Sequence, residues 1–343
     1  DDGSCIPVVL GCMDTLALNY DPLANVEDGF CCGDTINIPF GTQIGMDIDG
    51  ENYDDLSGWS VSLSSDGTTI AVGSPNHQVF GNPSGQVRIF NWDGISWNQL
   101  GSNITGGSSD QAGYSISISS DGSIVAFGEI NNDGSGWTRS GRVRVFNWDG
   151  ILWNQLGSDI QGEFMYDYSG TSVSLSDNGN IVAIGSPWND DNGTDAGHVR
   201  VYSWDGSSWN QLGQDIDGEN AGDESGYSVS LSSDGSTVAI GTPNDYNDAG
   251  SLSGNVKVYK FDGTSWNQLG SNIQGEYMYD HSGTSVSLSD NGNIVAIGAK
   301  NNDGNSGNIN DNRGHVRVYN FNGTQWNQMG QDIDGENYDD LSG

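Results

Sequence analysis

Carboxylates spaced by Asn and Gly make up most of the chemistry this chain could offer. Asp47, Asp49 and Asp54 form one group, Asp190, Asn192 and Asp195 a second, Asp215 and Asp217 a third, and Asp303 follows. Clustered oxygen donors suit a hard divalent cation, so calcium is the expected ion. None of the segments spells the full D-x-[DN]-x-[DN]-G signature, and the same residue types also build turns. Aromatic residues stand beside the acids: Phe80, Trp137, Trp188 and Tyr246 in one set of segments, Tyr166 and Tyr279 in another, with Phe164, Tyr168 and Tyr277 close by. Flat rings next to carboxylates and amides can stack on sugar faces while the polar groups bind hydroxyls, although rings can also serve packing alone. The first six are the expected ligand-binding residues.

Catalytic motifs are absent from the sequence. It holds no HExxH, no G-x-S-x-G elbow and no P-loop, so no catalytic residue is assigned and the expectation is a protein that is not an enzyme. Paired acids for polysaccharide hydrolysis remain the enzymatic alternative, since carboxylates abound. His198 and His315 share a repeat slot with Gln86, Arg142 and Asn255 and read as tolerated edge residues; His77 and His281 fall in loops.

The elements that must position these groups follow from composition and repeats. The 343 residues carry 46 Asp plus Glu against 10 Lys plus Arg, a formal charge of −36. Nucleic acid is excluded as a partner, because that affinity needs cations to neutralise phosphates. The longest apolar runs, such as Ile6 to Leu10 and Ile181 to Gly185, fall far short of the ~20 residues of a membrane span, so no direct membrane insertion is expected. All four cysteines, Cys5, Cys12, Cys31 and Cys32, lie in the first 32 residues. An even count in a short segment reads as a disulfide staple made in an oxidising compartment, with three connectivities open. Charge and cysteines together point to an extracellular location, secreted or on a cell surface.

Self-comparison reveals the architecture. SVSLS-like runs begin at 60, 115, 172, 228 and 285, each followed by a VAIG-like run, then a VRVY-like run, then WNQ starting at Trp97, Trp153, Trp209, Trp266 and Trp326. Each run is short, rich in β-branched and aromatic residues, and bounded by Asp-Gly, Asn-Gly or Gly-Ser, as strands and hairpin turns are. Four antiparallel strands per ~57 residues without helices describe blades of an all-β propeller. Five complete blades are legible. Asp332 to Gly343 repeats Asp47 to Gly58 letter for letter, from which the expectation is a propeller cut short at residue 343, with six or seven blades in all. In SVSLS, hydroxyls take one face and aliphatics the other, and the small face permits close approach of a neighbouring sheet. The recurring Trp is assigned to packing. The long loops between blades and between second and third strands emerge on one side, where scaffolded binding sites usually lie.

The pattern SG-x-SVSLS-x-DG-x-x-VAIGSP…G-x-VRVY resembles the FG-GAP repeat of integrin α-subunit propellers and bacterial surface proteins, over about residues 40 to 343. Gly73-Ser74-Pro75, Gly185-Ser186-Pro187 and Gly241-Thr242-Pro243 stand at the Gly-Ala-Pro position; Gly128-Glu129-Ile130 and Gly298-Ala299-Lys300 depart from it. The family's calcium loops are not carried over, because turns such as Ser65-Asp66-Gly67 are too short to wrap the ion. Gly11-Cys12-Met13-Asp14 through Asn19-Tyr20 to Asp28-Gly29-Phe30-Cys31 resembles cysteine-bounded stalk modules of large secreted proteins from marine and gliding bacteria. That resemblance implies a stalk over 1–36, preceded by the tail of another copy, with Cys12 paired to Cys31 and Cys5 left for Cys32 or another partner; the propeller takes 37–343. The expected function is adhesion, with the loop-bearing face recognising a cell-surface glycan or protein, helped by calcium. The runner-up is a structural spacer or assembly unit, a homo-oligomer within a surface appendage.

Overall fold

The computed structural model describes residues 10–11, 26–27, 43–79, 81–245, 252–303 and 312–343. The chain divides into two units, Asp1–Asp47 and Ile48–Gly343. In the first, Leu10–Gly11 and Val26–Glu27 pair in parallel. Cys5, Cys12, Cys31 and Cys32, and the proposed boundary at 36/37, lie outside the described residues. No helix among the described residues is long and apolar enough to cross a membrane.

The second unit is all-β, a succession of five propeller blades. Blade 3 illustrates the plan: an inner strand Ser172–Leu175, then Ile181–Ser186, then His198–Trp204, all antiparallel. The fourth run differs from the single strand expected. It forms two pieces, both paired to the third strand: Trp209–Gln211 along its second half and Ile216–Asp217 along its first. The interruption falls at a glycine with positive φ, and packing explains it. At Gly157, the blade 2 equivalent, φ is +77° and a Cβ would come within 2.6 Å of Trp204 in the next blade. Only glycine leaves room for that ring.

The junctions between blades use the alternation of SVSLS more fully than close approach alone requires. The first serine of each strand donates its hydroxyl to a glycine carbonyl of the next blade: Ser60 to Gly113 at 2.7 Å, Ser115 to Gly170 at 2.7 Å, Ser172 to Gly226 at 2.8 Å and Ser228 to Gly283 at 2.8 Å. The next serine accepts from a backbone N–H one blade on, as Ser174 Oγ does from Leu231 at 2.9 Å. Opposite each contact lies a glycine of the second strand; a Cβ on Gly185 would sit 2.0 Å from the Gly226 oxygen. The Val and Leu of the other face point back and build the core between sheets, where Val173, Leu175, Val182 and Ile184 of blade 3 pack with Val143, Val145 and Ile160 of blade 2. The recurrent Trp ties the outer rim, with Trp209 Nε1 donating to the Leu156 carbonyl of the previous blade at 2.8 Å. The arginines of the third strand do likewise. Arg200 reaches the Gln161 carbonyl at 2.8 Å while stacking over Tyr202.

Blade 1 has no described sheet on its aliphatic side. Val61 and Leu63 are 58 % and 55 % exposed, against 8 % for each of their counterparts Val173 and Leu175. The same substitution should therefore read differently along the repeat. Leu231→Ala is expected to cost about 2–5 kcal/mol and Leu63→Ala less than about 1 kcal/mol in urea unfolding; equal losses would contradict these junctions.

Candidate functional site

Each loop entering an inner strand is organised around one buried aspartate. In blade 3, Asp167 accepts from the N–H groups of Glu163 at 3.2 Å and Phe164 at 2.9 Å, and from the Asn189 amide at 3.3 Å. Burial raises its pKa, and the hydrogen bonds oppose that rise. Asp110 and Asp280 repeat the arrangement with Asn132 and Asn302. The turn forces left-handed backbone on the residues either side of the aspartate, Tyr166 at φ +68° and Tyr168 at φ +50°, a conformation held only where surroundings fix it. Here the Tyr166 and Tyr168 N–H groups bond to the carbonyls of Thr138 and Arg139 in blade 2.

That pinned loop forms one wall of a cleft of about 400 Å³, lined by Ile130, Tyr166, Tyr168, Trp188 and Asp195. Tyr168 meets Trp188 edge-on, with ring centroids 5.2 Å apart, and Arg139 donates to the Tyr168 hydroxyl at 3.2 Å. Asp195 is held by its own N–H to Asp190 at 2.9 Å; burial first, and the Asp190 charge second, raise its pKa. The chemistry on offer is apolar stacking beside one acceptor-rich carboxylate.

Of the expected aromatic residues, Tyr166 and Trp188 line this cleft. Trp137 packs edge-on against Phe164, with centroids 6.3 Å apart, and Tyr279 is exposed on the corresponding loop of blade 5. Phe80 and Tyr246 lie outside the described residues. Ile130 was not anticipated, although blade 2's departure to Gly128-Glu129-Ile130 was a signal: Ile130 faces the cleft, and Glu129 is buried between Arg142 and Arg144.

The expected metal residues do not converge on one centre. Asp47 accepts from Gln43 at 2.7 Å within the first unit. Asp49 gives its carbonyl to Arg88 at 2.6 Å, and Asp54 is exposed. Asn192 donates to the Gly218 carbonyl at 2.6 Å, Asp303 accepts from the Asn312 N–H at 3.2 Å, and Asp217 has its pKa raised by burial first, then by Asp215 and Asp191. Asp215 alone of the nine belongs to a described cluster of potential ligands, Glu163, Asp191, His198 and Asp215; a second is Glu276, His315 and Asp332. His198 and His315 are therefore not edge residues. Each begins a third strand whose first residue pairs on both sides, His198 with Ser186 and Asp217, and both side chains are buried.

Residues 164–202 match the model of the FG-GAP repeat. No curated protein matches the chain in sequence. Among solved structures the chain is similar to a putative TolB from Agrobacterium tumefaciens, at 13 % identity and TM-score 0.47 over 81 % of this chain and 82 % of that one. It is also similar to a putative 6-phosphogluconolactonase from Bacteroides uniformis, at 12 % identity and TM-score 0.46 over 82 % and 87 %.

Blade 4 breaks the aspartate–asparagine pattern, because Asp245 stands where blades 2, 3 and 5 place Asn. Burial first, then the Asp223 charge, raises the Asp245 pKa above 3.8. An acid raised on folding destabilises progressively as pH climbs from its unfolded value through its folded one. Asp245→Asn should therefore gain about 1 kcal/mol at pH 7 and little below pH ~4, read from denaturation midpoints across pH; a loss at pH 7 would contradict this.

Proposed function

We propose that the chain is a non-catalytic recognition module of an extracellular surface or secreted protein, binding carbohydrate of another cell's surface through the loop face at blades 2 and 3. The observation that carries this reading is the cleft itself, in which Tyr166, Tyr168 and Trp188 converge beside Asp195. Rings fixed by neighbouring backbone lose little entropy on stacking against a sugar, and a lone acceptor can bind vicinal hydroxyls. The FG-GAP match over residues 164–202 falls on this cleft and supports an adhesion role. Calcium assistance through Asp190, Asp195 and neighbouring loop oxygens belongs to the same proposal.

A second reading, an assembly unit of a multimeric appendage, is favoured by the exposed aliphatic face of Val61 and Leu63. The two readings separate experimentally. Binding to a glycan array and to whole cells, with calcium and then with chelator, is expected to fall at least tenfold in Trp188→Ala and in Tyr166→Ala while folding is preserved. Absence of any ligand under both conditions, together with concentration-dependent self-association in light scattering, would transfer the function to assembly.

A further inference from the structure

The first position of the third strand is one slot filled by four residue types across five blades, and what surrounds the occupant differs from blade to blade. In blade 1, Gln86 donates to Glu51 at 2.9 Å while Asn103 donates to both Glu51 and Gln86, so amides satisfy the carboxylate. In blade 2, the Arg142 guanidinium itself meets Asp110 at 3.0 Å, Asp159 at 2.6 Å and Glu129. In blade 4, where Asn255 holds the slot, Lys257 supplies the positive charge, 3.1 Å from Glu219. Blade 3 puts His198 there, and although Arg200 meets Glu163 at 3.3 Å as Lys257 meets Glu219, no group hydrogen-bonds to the imidazole.

His198 is fully buried, and neither ring nitrogen has a hydrogen-bond partner. Its Nδ1 faces Glu163 Oε2 and Asp215 Oδ2, each at 4.0 Å. Glu163 Oε2 is likewise buried without a partner, while Arg200 holds the other oxygen at 3.3 Å. Orphaned buried polar atoms of this kind are costly and rare. Two of them facing each other across a gap too wide for a hydrogen bond, with Asp191 alongside and all four ligand atoms within 4.8 Å of one another, enclose room for an ion.

We propose that blade 3 binds a divalent transition-metal cation of the zinc class through His198 Nδ1, Glu163 Oε2, Asp215 and Asp191. Tetrahedral zinc with bonds near 2.0–2.2 Å sets ligand atoms about 3.4 Å apart, so the two His198 pairs at 4.0 Å need to close by about 0.6 Å and no pair by more than about 1.4 Å. An imidazole nitrogen without a hydrogen-bond partner, aimed at two carboxylate oxygens, is the donor such an ion needs. The nitrogen donor selects against calcium and magnesium, which prefer oxygen alone. This ion is thus distinct in ligand chemistry from calcium on the loops. Blade 5 offers a three-ligand version, Glu276, His315 and Asp332, with His315 Nδ1 3.9 Å from Asp332 and both ring nitrogens again without partners.

The test is titration of the metal-stripped chain with Zn²⁺ by calorimetry and with Co²⁺ by visible absorption, after alkylating thiols so that the four cysteines cannot ligate. Wild-type protein is expected to show d–d bands of a nitrogen–oxygen site and a rise in melting temperature with Zn²⁺. Loss of even an outer partner of a metal ligand costs about 10–100-fold in affinity, so His198→Gln should weaken the tighter site about 100-fold or more. Glutamine is the occupant blade 1 already accommodates. Asp191→Asn, an exposed change that spares the core, should weaken the same site about tenfold or more, and His315→Gln should leave it intact. No Co²⁺ bands in wild-type protein, or variants at 198 and 191 that bind as wild type does, would overturn the site.

Discussion

The hydrogen bond from a serine hydroxyl to a glycine carbonyl one blade away is the constraint on which the rest depends. That bond forms only at close range, and the range exists because both facing positions lack a Cβ, as at Gly185 and Gly226. The contact fixes how far apart two sheets stand. Given that spacing, the aliphatic face of the same strand meets the preceding sheet at van der Waals distance, and the Trp–Leu bond closes the rim. Turns are tied in sequence too, Ser65 to Ser120, Ser120 to Asp177, Asp177 to Ser233 and Ser233 to Asp290 through backbone bonds.

The scarce cations follow from the same geometry. In a chain with 46 acids, 10 basic residues cannot neutralise the surface. Arg144, Arg200 and Arg317 are instead placed inside, each bonding a carbonyl of the adjoining blade and covering an aromatic ring, and Arg88 bonds the Asp49 carbonyl while covering Phe90. Carboxylates close to those guanidiniums are held in place, as Glu163 is by Arg200. Those remaining on the loops either cap backbone, as Asp167 does, or face the cleft, as Asp195 does.

Strand order, blade count in the described unit and the packing role of Trp209 were legible because they recur, and recurrence at a fixed spacing reports packing. The split of the outer strand was not, since WNQLG and the following Ile-x dipeptide read as one run until the glycine's left-handed backbone is seen. The site was half legible. Trp188, outside the repeat's own aromatic positions, and the loop residues Tyr166 and Tyr168 stood out in the sequence, whereas Ile130 took its place on the cleft only when two blades met. His198 misled for a physical reason: a slot that varies among Gln, Arg, His and Asn looks permissive, yet each occupant is buried or nearly so and answers a different local balance of charge. Sequence shows the variation and hides the burial.

Carbohydrate binding in the blade 2–blade 3 cleft is the proposal from which the functional reading follows. Saturation-transfer NMR tests it most directly, irradiating aromatic protons of the protein in the presence of oligosaccharides drawn from cell-surface polymers. Transfer to sugar ring protons, lost when Trp188 is replaced by Ala and retained when Trp97 is replaced by Phe, is the predicted result. Transfer that survives without Trp188, or none from any oligosaccharide, would contradict it.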